Sequence, residues 1–257
     1  MHFETFGSGP PLLLLHGFTG CVRNWSPLIP DLAKNHTVVA VDLPGHGQTD
    51  SPTDLGFYRI GPVAAELVQI MDNLGHDRFN LLGYSMGGRL ALYMAARHPE
   101  KVDKLILESA SPGLKTSDER NARRTSDYAL VNRIHQDGIE MFVDFWESIS
   151  LWESQKQLSA DVRQTLRQIR LANNPLGLAN SLRGMGTGQQ PSLWAGLKQL
   201  TMPTLLITGE HDLKFCAIAA DMQSQIPQVT HHTVNHAGHT VHLEQPSSWL
   251  TLVNSFL

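Results

Sequence analysis

Cysteine is nearly absent from this chain. Of its 257 residues only Cys21 and Cys216 are cysteine, which excludes a disulfide framework and a four-thiolate metal site. An excess of charge of one sign is lacking as well. The 20 Lys and Arg are set against 24 Asp and Glu, a net charge of −4, so there is no broad basic field to hold nucleic acid. Charged residues make up 17% and hydrophobic residues 41%, a balance that excludes disorder driven by charge. Long apolar runs are missing too. Leu12 to Leu15 is the longest aliphatic string, far below the roughly 20 residues a membrane helix needs. Met1-His2-Phe3-Glu4 has neither the basic start nor the apolar stretch of a signal peptide. The expectation is a soluble, cytoplasmic globular protein with no membrane and no nucleic-acid partner.

What is present is a repeating alternation. Leu12-Leu13-Leu14-Leu15 runs into His16-Gly17, and Thr37 to Val41 runs into Asp42-Leu43-Pro44-Gly45. Phe79 to Leu82 ends at Gly83. Val102 to Leu107, Thr204 to Ile207 and the weaker Val229 to Val234 complete the set. Short runs apolar on both faces, each closed by Gly, Pro or a polar turn, read as buried parallel strands. Between them Val63, Leu67, Ile70, Met71 and Leu74 keep a 3.6-residue period, Met86 to Arg97 forms a second helical stretch, and Pro246 opens a last one. Strands alternating with helices predict a mostly parallel, doubly wound α/β sheet. From about Pro112 to Pro191 only helical patterns occur. This predicts a helical insertion, residues 112–191, in a core made of residues 1–111 and 192–257.

The strongest local signal is Gly83-Tyr84-Ser85-Met86-Gly87, after a strand and before a helix. In a G-x-S-x-G nucleophile elbow the serine sits on a tight strand-to-helix turn, and its flanking glycines avoid clashes with the neighbouring strand and helix. A serine hydroxyl needs a base, and the partners are expected in the order Ser, acid, His. Asp212 and His239 follow the last two strands, at the carboxyl ends where open α/β sheets place their sites. Asp212 would hold the imidazole tautomer and His239 would take the Ser85 proton. Glu210 competes with Asp212, and His236 and His242 compete with His239. Two backbone N–H groups should form an oxyanion hole, that of Met86 after the nucleophile and that of Phe18 in the loop after the first leucine strand. His16 reads as a hydrogen-bonded turn residue, and the Asp42 to Gly47 loop as structural.

With these motifs the chain resembles the α/β-hydrolase fold over its whole length, although the first strand of the usual fold is expected to be missing, since only Phe3 to Phe6 precedes Gly7-Ser8-Gly9. Five further strings narrow the resemblance. They are Gly83 to Arg89, Glu108 to Leu114, Glu119-Arg120 with Arg123, Ser181 to Gln190, and Gly209 to Phe215. Together they are similar to the 2-succinyl-6-hydroxy-2,4-cyclohexadiene-1-carboxylate synthase family of menaquinone biosynthesis. That resemblance implies a lyase that removes pyruvate by proton abstraction and 2,5-elimination, with Ser85 as base and no acyl-enzyme. It implies no metal and no cofactor, and the His residues show no H-E-x-x-H or Cys/His spacing.

The resemblance also implies Tyr84, Arg89, Arg123, Trp146 and Lys214 as contacts to a small polycarboxylate substrate. The residues themselves support part of this. Arg89 follows Ser85 by about one helical turn, and Arg120, Arg123 and Arg124 share much of one helix face. Guanidinium groups suit bidentate carboxylate recognition. For Arg120 and Arg124 a surface ion pair is the expectation, Arg123 could pair with Asp127 four residues on, and Trp152 competes with Trp146. Two rival functions remain at this point: a serine esterase or carbon–carbon-bond hydrolase, and a hydrolase fold turned ligand receptor.

Overall fold

A computed structural model describes residues 1–257. In chain order the first half runs β1 (Phe3–Phe6), β2 (Pro11–Leu15), α1 (Ile29–Leu32), β3 (Thr37–Val41), α2 (Ile60–Asn73), β4 (Phe79–Tyr84), α3 (Met86–Arg97) and β5 (Val102–Glu108). Three helices follow with no strand between them: α4 (Ser117–Ser148), α5 (Ala160–Leu171) and α6 (Pro175–Met185). The chain then returns to the sheet with β6 (Thr204–Gly209), α7 (Leu213–Gln223), β7 (Val229–Val234), α8 (Val241–Glu244) and α9 (Pro246–Phe256).

The strands form one seven-stranded sheet in the order β1-β3-β2-β4-β5-β6-β7. Only the β1–β3 pair is antiparallel, with Phe3 opposite Val41 and Phe6 opposite Val38. The segment before Gly7, too short to read as a strand from its pattern, is therefore an edge strand of the sheet. The leucine run shows why both faces are apolar. Leu13 and Leu15 enter one buried cluster with Val63, Leu67 and Leu90 from α2 and α3, while Leu12 and Leu14 enter the opposite cluster with Trp249 and Val253 from α9. Alternation across a strand covered on both sides makes every position apolar.

The helices between β5 and β6 have their own small core, in which Phe142, Val143, Trp146 and Trp152 meet Leu178 and Leu182. Thr116 caps α4: its hydroxyl accepts the Glu119 N–H at 3.2 Å and Glu119 accepts the Thr116 N–H at 2.8 Å, a reciprocal capping box. Helical geometry breaks within α4 at Gly138, at φ 76° and ψ 178°.

Candidate active site

β4 ends at Tyr84 and α3 begins at Met86, so Ser85 alone turns the chain, at φ 51° and ψ −107°. A positive φ at a residue with a side chain costs of order 1–3 kcal/mol and persists only where the surroundings hold it. Here the Ser85 N–H donates to the Glu108 carbonyl at 2.9 Å and the Ser85 carbonyl accepts the Arg89 N–H at 2.9 Å. The glycines are required for close approach. A Cβ at Gly83 would stand 2.3 Å from the Gly87 carbonyl oxygen, and one at Gly87 would stand 2.2 Å from that of Leu15.

Asp212 and His239 come from the loops after β6 and β7, and both are buried. His239 Nε2 lies 3.0 Å from Ser85 Oγ, and His239 Nδ1 lies 2.6 Å from Asp212 Oδ2. A carboxylate only accepts, so the Nδ1–H donates to Asp212 and Nε2 is left to accept the serine proton. The competitors are held elsewhere. Glu210 is exposed and accepts the His236 N–H at 2.9 Å, His236 is itself exposed, and the buried His242 places Nδ1 2.9 Å from Glu108. Glu210, His211 and His236 do bring ligand-type atoms within 4.8 Å of one another, and all three are exposed.

The amides of Phe18 and Met86 donate to no acceptor within the protein. Met86 is free because it opens a helix. The loop carrying Phe18 is braced by His16, whose Nδ1–H donates to the Gly17 carbonyl at 2.7 Å while Nε2 accepts the Leu43 N–H at 3.0 Å. Burial lowers His16 to about 4, which keeps it neutral and fixed as a turn residue. Asp42 accepts the Val22 N–H at 2.7 Å and the Gln48 N–H at 2.8 Å, a structural use of its loop.

Between Ser85 and the helical segment lies a cavity of about 210 Å³. Ser85, His239, Phe18 and Met86 form one part of its lining and Arg89, Arg123 and Lys214 another, with Asp212 behind His239. Arg89 is only 9% exposed, and its Nη1 donates to the Met185 carbonyl at 3.0 Å and to Gln190 Oε1 at 3.1 Å. Both partners are neutral. Burial, reinforced by repulsion from Arg123 and partly offset by attraction to Asp127, lowers Arg89 to about 10, so it remains a cation at neutral pH. Arg123 Nε donates to Asp127 Oδ1 at 2.7 Å, so the helix pair exists and yet the same side chain reaches the cavity wall. The exposed Lys214 ammonium lies 5.6 Å from the Phe215 ring centroid at the rim.

Some expectations need correction. Arg120 and Arg124 are outside the cavity, but not as ion pairs: Arg120 donates to the Leu114 carbonyl at 3.1 Å and Arg124 to the Gly188 carbonyl at 3.0 Å. Their partners are loop carbonyls that their pattern on one helix face could not reveal. The Tyr84 hydroxyl is committed to Thr240 Oγ1 at 2.8 Å and burial pushes it well above its ordinary range, so Tyr84 offers the cavity an aromatic wall and no polar group. Trp146 and Trp152 both line the cavity, and Trp152 stacks edge-on to His239 with ring centroids 5.7 Å apart. Sequence reasoning missed Phe215, Ser181 and Ser109 as wall residues. Ser109 stands at φ 47°, and its buried hydroxyl has no partner. Its place directly after β5, at a carboxyl strand end, was the available signal.

The sheet, the elbow and the ordered Ser–Asp–His array define an α/β-hydrolase-fold protein, and the family model described as alpha/beta hydrolase fold matches residues 10–246. A Bacillus subtilis (strain 168) protein provisionally named 2-succinyl-6-hydroxy-2,4-cyclohexadiene-1-carboxylate synthase is 44% identical over 246 residues, 96% of this chain and 89% of its own. The synthase of that name from Enterobacter sp. (strain 638) is 33% identical over 242 residues, covering 93% and 88% of the two chains. MenH from S. aureus superposes with a TM-score of 0.96 at 36% identity, over 100% of this chain and 98% of that one. The chain belongs to the 2-succinyl-6-hydroxy-2,4-cyclohexadiene-1-carboxylate synthase family.

Proposed function

We propose that this enzyme eliminates pyruvate from 2-succinyl-5-enolpyruvyl-6-hydroxy-3-cyclohexene-1-carboxylate to give 2-succinyl-6-hydroxy-2,4-cyclohexadiene-1-carboxylate. The observation that carries the reading is Arg89, a buried cation with neutral partners that shares a cavity with Ser85 and His239. The carboxylate that attracts Arg89, that of Asp127, is already paired with Arg123, and a buried charge so weakly compensated is costly unless an anion arrives to match it. With Arg123 and Lys214 it suits a substrate bearing several carboxylates, and an apolar ester would need none of the three.

In this reading His239, oriented by Asp212, takes the Ser85 proton as the serine oxygen removes the proton from the ring carbon bearing the succinyl group. The C–H electron pair moves toward the succinyl carbonyl, where the Phe18 and Met86 N–H groups stabilise the developing oxyanion. The electrons then form the C2–C3 double bond, the existing C3–C4 double bond shifts to C4–C5, and the C5–O bond to the enolpyruvyl group breaks. The departing enolate takes up the proton that His239 received and leaves as pyruvate, which returns His239 to its neutral form. Ser85 forms no covalent bond, and no metal or cofactor takes part. Residues 112–191 act as a lid over the core of residues 1–111 and 192–257; they supply Arg123, Trp146 and Trp152 and keep bulk water from the carbanionic intermediate. A cytoplasmic setting suits the two free thiols and a small diffusible substrate.

The test is to incubate purified protein with the enolpyruvyl cyclohexene and follow pyruvate and diene absorbance together. Equal release of both is expected. Hydrolysis of simple aryl esters with no pyruvate formed would favour the esterase reading instead.

A further inference from the structure

Beneath the site, three N–H donors converge on one buried carboxylate. Glu108 closes β5 and is 0% exposed. Its backbone carbonyl accepts the Ser85 N–H at 2.9 Å. Its side chain reaches the opposite half of the reacting pair: Oε1 accepts the His242 N–H at 3.1 Å, His242 Nδ1 lies 2.9 and 3.0 Å from the two carboxylate oxygens, and Oε2 accepts the Trp249 Nε1–H at 2.8 Å. His242 sits in α8, less than one helical turn past His239. Glu108 thus grips the elbow through its backbone and the turn carrying the base through its carboxylate. Nothing in the elimination chemistry calls for a carboxylate here, and Glu108 does not line the cavity although Ser109 does.

We propose that Glu108 is a positioning residue that sets the Ser85–His239 distance through His242. The inference rests on Ser85 and His239 being the working pair. The donor inventory explains why a carboxylate is used: its two neighbours, His242 and Trp249, present three N–H groups, so the group between them must only accept. An amide in its place would turn its own N–H₂ toward at least one donor and leave a buried polar group unmatched. The turn bearing His239 would then shift by a fraction of an ångström. Proton transfer is sensitive to that, since misplacements of about 1 Å can cost about a hundredfold.

The experiment compares Glu108→Gln with Trp249→Phe. The second variant removes one donor from the same carboxylate but leaves the His242 link intact, so a merely structural role predicts parallel losses in both. Two readouts are used: steady-state kinetics with the enolpyruvyl cyclohexene, and the rate at which a serine-directed phosphonate modifies Ser85. In Glu108→Gln we expect kcat to fall about tenfold or more with KM within about twofold, and the phosphonate rate to fall by a similar factor. Trp249→Phe should lower Tm but keep both rates within about twofold of the parent. Should Glu108→Gln fail to fold, His242→Gln, which retains a side-chain N–H, should keep a higher kcat than His242→Leu. Losses that track Tm in every variant, an unchanged phosphonate rate in Glu108→Gln, or equal kcat in the two His242 variants would overturn the proposal. A parent protein that does not react with the phosphonate would instead overturn the Ser85 assignment itself, and one that reacts but releases no pyruvate would overturn the substrate alone.

Discussion

On one wall of the cavity His239 and Asp212 are buried, and they are joined to each other and to Ser85 by bonds of 2.6 and 3.0 Å. On a second stretch of lining, which serves as the other wall, Arg89 has only neutral hydrogen-bond partners, Arg123 uses one nitrogen on Asp127, and Lys214 stands exposed at the rim. The first wall is made by loops at the ends of β4, β6 and β7 and is complete without substrate. The second is made by α3, α4 and α7 and is short of negative charge. The contrast separates two tasks. In the proposed function, bond making and breaking depend on a preorganised set of hydrogen bonds, whereas recognition depends on cations that outnumber the carboxylates beside them.

The largest effect is expected on the complete wall. Ser85→Ala, His239→Ala and Asp212→Asn should each lower kcat by about three orders of magnitude or more while the fold persists, as seen by circular dichroism and Tm. Because the three act as a unit, the double variants should be little worse than the singles. Losses that multiply in the doubles would break the claim that this wall works as one device.

The charged wall should respond less. Arg123→Ala is expected to cost about 2–4 kcal/mol in kcat/KM if its free guanidinium nitrogens meet a substrate carboxylate. Near-normal kinetics would reduce Arg123 to its helix pair with Asp127. Next in size is a pH effect from His16 and His46, a buried pair of rings 5.1 Å apart with His46 beside Phe18. Burial holds His16 at about 4, and burial with repulsion from His16 holds His46 at about 3. In the unfolded chain both would take a proton near 6.5, so below that pH the unfolded state binds more protons than the folded one. Stability should therefore fall as pH drops, by about 2 kcal/mol per histidine at pH 5. Urea unfolding of the parent and of His46→Gln at pH 7.5 and pH 5 would show it, with a smaller drop in the variant. Smallest of all, Asp127→Asn should cost about 1–2 kcal/mol of stability, since Arg123 and the Gly188 N–H donate to different carboxylate oxygens and the amide has one oxygen for the two of them. A loss of several kcal/mol would mean that the charged wall is built as tightly as the other.

The same contrast governs what was legible in the sequence. The complete wall could be read because its parts are local: apolar runs that must be strands, a glycine-flanked serine between strand and helix, and an acid and a histidine just past two strand ends. Seven strands formed where six had been read, because Phe3–Phe6 is a half-buried edge strand with too little apolar pattern to stand out. The charged wall was legible only as residue types. Which arginines enter the cavity depends on how α4 packs against the loop around Gly188, and no helical wheel contains that loop. Glu108 was hidden for a similar reason. Its partners His242 and Trp249 lie more than a hundred residues away, and only the folded sheet brings the three together.

The central claim is that Ser85 removes a proton and does not attack carbon. The direct test is a single-turnover comparison of the enolpyruvyl cyclohexene carrying hydrogen or deuterium on the ring carbon that bears the succinyl group, with the enzyme quenched during turnover for mass spectrometry. Single turnover removes product release from the observed rate. Slower pyruvate formation from the deuterated substrate, with Ser85 unmodified throughout, is the result this account predicts. Equal rates for the two isotopologues together with a Ser85-linked succinyl or cyclohexenyl adduct would contradict it.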